Sequence, residues 1–143
     1  MSYAVQVVID STDPHVLADW WAQTLGWEVE WQDPAFIQQM VDAGHATADQ
    51  TTTHRGALVW AVGAAIVAPG EDRERRPRIL FQAVPELKAG KNRLHLDVRV
   101  GDDDVEEVRR RLVERGATVL YAMQQGPTSW VTMADPEGNE FCV

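Results

Sequence analysis

The chain has 143 residues, 45% of them hydrophobic, and a formal net charge of −9. That length suits a single domain with a sizeable core, and the net acidity argues against a nucleic-acid partner. No apolar run is long enough to span a bilayer, so no membrane partner is expected. A lone cysteine forms no internal disulfide, and Met1-Ser2-Tyr3 runs into a strand without a signal-peptide pattern. A cytoplasmic location is the expectation from both.

In chain order, Ala4 to Asp10 reads as a strand. Asp13-Pro14 then starts a helix, because Asp caps and Pro suits the first helical position. Val16, Leu17, Trp20, Trp21, Thr24 and Leu25 follow at helical spacing. Trp20 and Trp21 are adjacent, so only one is expected to face the core squarely; the other would sit at the helix edge or a dimer contact. Gly26 stops the helix, and Trp27 to Trp31 reads as a strand. Asp33-Pro34 begins a short helix with Phe36, Ile37, Met40 and Val41 as its apolar stripe, ended by Gly44. Thr51 to Arg55 reads as a loop. Ala57 to Val67 reads as one strand with a kink at Gly63, and Arg78 to Val84 as another. The basic cluster Arg73, Arg75, Arg76 and Arg78 is interleaved with Glu71, Asp72 and Glu74 and marks a solvated loop.

The second half repeats the first. Lys91 to Val100 alternates with period two: Leu94, Leu96, Val98 and Val100 point one way, and Arg93, His95, Asp97 and Arg99 the other. After Gly101 to Asp104 comes a helix with Val105, Val108, Leu112 and Val113 on one face, stopped by Gly116. Asp13 to Gly26 and Asp103 to Gly116 are the same distance apart. Ala117 to Tyr121, Ser129 to Ala134 and Glu140 to Val143 read as strands, the last two joined by the turn-forming Asp135-Pro136-Glu137-Gly138-Asn139. Each half is strand, helix, strand, strand, strand, with module one at about 1–88 and module two at about 91–143. A pseudo-twofold α+β domain is expected, with two βαβββ modules forming an open, cup-shaped mixed sheet and helices 13–25 and 103–115 on its convex side. The 33–56 stretch has no counterpart in module two; it is either a lid over a binding site or a piece that closes one end of the core.

These paired modules, the Asp13-Pro14-x-x-Leu17-x-x-Trp20-Trp21…Leu25-Gly26-Trp27 helix and the closing 135–139 turn resemble the glyoxalase/bleomycin-resistance/dioxygenase group, the vicinal oxygen chelate superfamily. More narrowly, Phe81-Gln82-Ala83-Val84-Pro85-Glu86-x-Lys88 followed by Lys91-Asn92-Arg93-Leu94-His95-Leu96-Asp97 is similar to bacterial glyoxalase-like domain proteins. In metal-dependent members, four strands each give one ligand to the cup: a His or Gln, a Glu, a His and a Glu. The resemblance places these positions on Gln6, Gln82, His95 and Cys142. Both carboxylates are missing, so the set has no fixed negative charge unless the thiol ionises, and it suits nickel, iron or manganese poorly. No resident metal and no cofactor are therefore expected; a recruited ion bound through His and thiolate would favour zinc.

His95, Asp97 and Arg99 share one strand face and Glu140 shares a face with Cys142. A His-Asp pair can do acid-base work, or the three residues can form an internal polar network. His15 is expected to be exposed, His45 to follow a helix stop, His54 to lie in a polar loop, and Cys142 to be a small buried hydrophobe. Trp27, Trp31, Trp60 and Trp130 fall on strands, where aromatics suit a flat ligand or ordinary packing. The expected ligand site is walled by Gln6, Gln82, His95, Asp97, Arg99 and Trp130, with the Phe36–Met40 helix and the Thr51–Arg55 loop over its mouth. The expected function is metal-free binding or sequestration of a small organic molecule of aromatic or cationic character, in the manner of bleomycin-resistance-like proteins. The alternative is a lyase or isomerase using His95 with Asp97 or Glu140, or a recruited divalent metal. Open strand edges, with the resemblance, imply a homodimer.

Overall fold

A computed structural model describes residues 3–70, 72 and 75–143. It divides into two compact units, one ending at Pro85 and the other starting at Glu86. Met1 and Ser2 of the expected N-terminal pattern, and Glu71, Arg73 and Glu74 of the basic cluster, lie outside the described residues. Of that cluster, Arg75 is exposed and Arg78 belongs to a strand.

The first unit runs β1 (Val7–Ser11), α1 (Pro14–Leu25), β2 (Glu28–Val29), α2 (Pro34–Asp42), a 3-10 turn (Ala48–Gln50), β3 (Thr51–His54), β4 (Ala57–Trp60), β5 (Gly63–Val67) and β6 (Arg78–Ala83). Four of these strands form one open sheet in the order β1-β6-β5-β2. β1 runs parallel to β6, and β6 antiparallel to β5. Asp13 caps α1 by accepting from the Val16 amide, and Gly26 closes it at φ 66°. The helix lays Leu17, Ala18, Trp21 and Ala22 into the core with Ile66, Ile79 and Phe81 from the sheet. Burial of such side chains is worth about 1.5–3 kcal/mol each for the large aliphatics and aromatics.

Several expectations for this half need correction. Trp20 and Trp21 are both buried and meet edge to face at 5.1 Å. The helix accommodates both because its buried arc is wide, extending from Leu17 and Trp21 round to Pro14 and His15. The long 57–67 strand is two strands: β4 leaves to pair with β3, and β5 starts at Gly63. A Cβ on Gly63 would stand 2.4 Å from the Phe81 carbonyl oxygen, so only glycine allows the sheet to close there. Thr51 to His54 is a strand, not a loop; three successive β-branched residues favour extended backbone. Its hairpin turns through Arg55 and Gly56, both at positive φ (49° and 80°), the geometry whose twist matches the flanking strands. In α2, Ile37 is fully buried while Phe36 is half exposed.

The second unit runs β7 (Leu96–Asp97), α3 (Val105–Glu114), β8 (Thr118–Gln125), β9 (Thr128–Ala134) and β10 (Glu140–Cys142). Its open sheet has the order β7-β10-β9-β8, the same first-last-third-second order as the first unit, again with the first and last strands parallel. The repeat read in the sequence is therefore a repeat of topology, and the chain is an α+β protein with open mixed sheets. Asp104 caps α3, accepting from the Glu106 and Glu107 amides. Leu112 is buried, but Val113 is 47% exposed and leaves the apolar face. The strand expected over Lys91 to Val100 forms only at Leu96–Asp97, with one further backbone bond from the Val98 amide to the Cys142 carbonyl, and Leu94 is exposed. The 135–139 turn forms as expected: the buried Asp135 carboxylate accepts from the Glu137 and Asn139 amides at 2.9 Å each. Among the described residues no helix is long and apolar enough to cross a membrane.

Candidate functional site

In the second unit the site follows from strand register. β10 lies between β7 and β9, with Cys142 opposite Asp97 on one side and Thr132 on the other. Paired residues show the same sheet face and alternate residues return to it, so Asp97, Cys142 and Thr132 stand together. His95 and Trp130 are two residues from members of that set and share the face. The other face carries Phe141 and Met133, both fully buried. Thr132 is itself buried, and His95 and Asp97 form the exposed side of the set.

His95 Nε2 lies 3.3 Å from Asp97 Oδ1. A ring nitrogen of His95, a carboxylate oxygen of Asp97 and the Cys142 sulfur lie within 4.8 Å of one another. Thr132 Oγ1 is 3.6 Å from the same sulfur. The His95 and Asp97 side chains are 48% and 67% exposed, so the pair is not a buried polar network, and Cys142 is partly exposed rather than an inert core thiol. Arg99 is exposed and lies beyond β7. Glu140 does not serve His95 as a partner. Its carboxylate is paired with the Lys91 ammonium, whose hydrogen bond holds Glu140 below the ordinary carboxylate range and raises the lysine in turn. Of the candidate catalytic residues, the structure thus joins His95 with Asp97 and leaves Glu140 committed elsewhere.

In the first unit the two glutamines separate. Gln6 precedes β1, and its Oε1 accepts from Arg78 Nη1 at 2.6 Å. Gln82 sits opposite Asp10, at the far end of the same pair of strands. Four residues of strand put about 13 Å between the two positions along the sheet. The four positions implied by the resemblance therefore do not supply a converging metal set. The second unit alone offers three donors, His95, Asp97 and Cys142, a nitrogen, oxygen and sulfur combination that suits zinc better than magnesium or manganese.

A second polar cluster escaped the sequence reading. His15 is buried, not exposed, and its Nε2 donates to the Trp60 carbonyl at 2.8 Å. Its ring stacks on His54, with centroids 5.3 Å apart. His54 Nε2 is 2.7 Å from Asp19 Oδ2, and Arg55 reaches the same oxygen at 2.9 Å. Gln32 adds a further tie, donating to the Gly63 carbonyl and accepting from the Trp60 amide. The 33–56 insertion is thus fastened to α1 of its own unit through His54 and Arg55. The i, i+4 spacing of His15 and Asp19 on one helix face was the available signal; reading Thr51 to His54 as a loop hid their partner.

The class these features define is a paired-module α+β protein with a polar, solvent-facing sheet surface in its second module. Residues 6–143 match the glyoxalase-like domain family. The chain belongs to that family. No match is found among curated protein sequences. Among solved structures, the chain is similar to a mutant of the fosfomycin resistance protein FosX from Listeria monocytogenes, complexed with Mn(II) and 1S,2S-dihydroxypropylphosphonic acid. That match has a TM-score of 0.64 at 10% identity and covers 99% of this chain and 90% of the other. FosX from Mesorhizobium loti gives 0.58 at 9% identity, with 99% and 90% covered. The oxidase ChaP-H2 gives 0.57 at 12% identity, with 99% and 92% covered. Likeness at these identities shows the fold alone.

Proposed function

We propose that this protein binds a small organic molecule on the polar sheet face of its second module, without a resident metal. The observation that carries the reading is the grouping of His95, Asp97 and Cys142 within 4.8 Å on a face open to solvent. Thr132 and Trp130 flank it on β9. A few convergent polar groups beside an aromatic ring are the usual composition of a small-molecule site. The separation of Gln6 from Gln82 supports a role without the superfamily's usual metal. Neighbours that include resistance proteins are compatible with sequestration. The cytoplasmic location and the homodimer belong to the same proposal; sheet edges at β1, β2, β7 and β8 support assembly, because unpaired edges are usually covered.

A second reading is favoured by the same three donors: a divalent ion held by His95, Asp97 and Cys142 in a lyase or isomerase of the superfamily. A two-dimensional amide NMR screen of labelled protein separates the readings. Aromatic and cationic fragments are added to protein purified without chelator, and zinc is titrated in a parallel series. Binding should shift Leu96–Asp97, Trp130–Thr132 and Cys142 with at least one fragment while zinc binds only weakly. Zinc saturation at stoichiometric amounts supports the second reading. No fragment shifts confined to these residues, and no zinc response, refutes both.

A further inference from the structure

We propose that Cys142 is a nucleophile that takes up planar electrophiles of the α,β-unsaturated carbonyl class, with His95 receiving and returning its proton. The proposal rests on the reading above that this face takes a small molecule, and it names the class.

Cys142 is the sole cysteine of the chain and is partly exposed, while Phe141 and Val143 on either side of it are buried. Strand alternation turns its sulfur to the open face and theirs to the core. Three polar groups from two other strands surround it: a ring nitrogen of His95 and an oxygen of Asp97 within 4.8 Å, and Thr132 Oγ1 at 3.6 Å. The first two lie on or beside β7, the third on β9. A thiol beside an imidazole, itself oriented by a carboxylate, is the arrangement that activates sulfur toward carbon electrophiles. Trp130 on the same face offers a flat apolar surface for a conjugated ligand.

The step balances without a co-reactant. The Cys142 proton passes to His95, directly or through one water. The sulfur bonds to the β-carbon, the carbon–carbon π pair shifts to the bond between the α-carbon and the carbonyl carbon, and the carbonyl π pair passes to oxygen as an enolate. The imidazolium then returns the proton to the α-carbon. One S–H bond and one π bond are exchanged for one C–S and one C–H bond, with no net oxidation. Asp97 acts as a positioning residue by steadying the imidazolium.

Because there is a single thiol, intact-mass spectrometry counts adducts without ambiguity. The probe is 2-cyclohexen-1-one, with N-acetylcysteine as the reference thiol. At pH 7 the protein should react about tenfold or more faster than the reference, and His95→Asn should remove most of that excess. At pH 10, where any ordinary thiol is ionised, wild type and His95→Asn should react alike; a variant that had merely unfolded or lost access would differ there too. Asp97→Asn should show an intermediate rate at pH 7 and the same convergence at pH 10. A wild-type rate no greater than the reference, or no effect of His95→Asn at pH 7, overturns the proposal. Labelling that is blocked as purified and released by EDTA assigns the sulfur to a metal and also overturns it. Fragment binding retained by Cys142→Ser, with no adduct in wild type, sinks the nucleophile alone; absence of both sinks the binding reading with it.

Discussion

Replacing His15 by alanine tests the cluster that ties the inserted hairpin to α1. Two losses follow from the structure. The Trp60 carbonyl loses the 2.8 Å bond from His15 Nε2, and a part-buried acceptor left unpaired falls in the lower half of the usual penalty of about 1–3 kcal/mol. The His54 ring loses its stacking partner at 5.3 Å, and the vacated space removes packing worth about 1 kcal/mol. The sum is about 2–3 kcal/mol, or a melting drop of roughly 5–15 °C for a domain of this size. Val16→Ala, one residue along and 54% exposed, should change stability by no more than about 0.5 kcal/mol. Urea unfolding gives the energies, and hydrogen exchange places them: Thr51–His54 and Ala57–Trp60 amides should lose protection in His15→Ala, while β8 and β9 keep theirs. If the hairpin amides exchange as in wild type, or the variant melts like Val16→Ala, the clasp does not hold the insertion and the reasoning fails.

Three further outcomes are expected. Gly63→Ala should yield poorly folded protein, since its Cβ would stand 2.4 Å from the Phe81 carbonyl oxygen between two paired strands; near-wild-type circular dichroism and melting would contradict this. The Arg78 guanidinium beside Glu30 holds its carboxyl below the ordinary value of 4.5. A group lowered in the folded state adds stability above its unfolded value and loses it as pH falls through the folded one. Wild type should therefore lose about 0.2–1 kcal/mol more than Glu30→Gln between pH 6 and pH 3, the small size reflecting partial exposure; equal losses by urea titration would remove the pair from the account. Lys91→Met should let the Glu140 carboxyl rise toward its ordinary range, because the lysine hydrogen bond is the main cause of its lowering. Carbon-detected NMR titration reads this directly, and an unmoved Glu140 would mean another group holds it.

What the sequence made legible is local chemistry. Asp13-Pro14 and Gly26 bound α1 as read, and the 135–139 turn forms through its own aspartate. The strand alternation around His95 places Asp97 on the same face, even though only two of its residues form strand. What stayed hidden depended on partners distant in the chain. His15 is buried because a carbonyl 45 residues away needs a donor, and no periodicity carries that fact. Glu140 looked like a candidate base until Lys91, 49 residues upstream, was seen to occupy it. The Gln6 and Gln82 positions separate because register between β1 and β6 is set by sheet pairing, which neither strand reveals alone. Cys142 gained its neighbours in the same way, from Asp97 and Thr132 on the two flanking strands.

The central claim is that the face bearing His95, Asp97 and Cys142 takes a small organic molecule rather than a resident metal. Native mass spectrometry of protein purified without chelator reads both at once. The account predicts an organic adduct on a metal-free chain, with occupancy falling sharply in His95→Ala while that variant melts close to wild type. A stoichiometric divalent ion, or organic occupancy unchanged by His95→Ala, would contradict it.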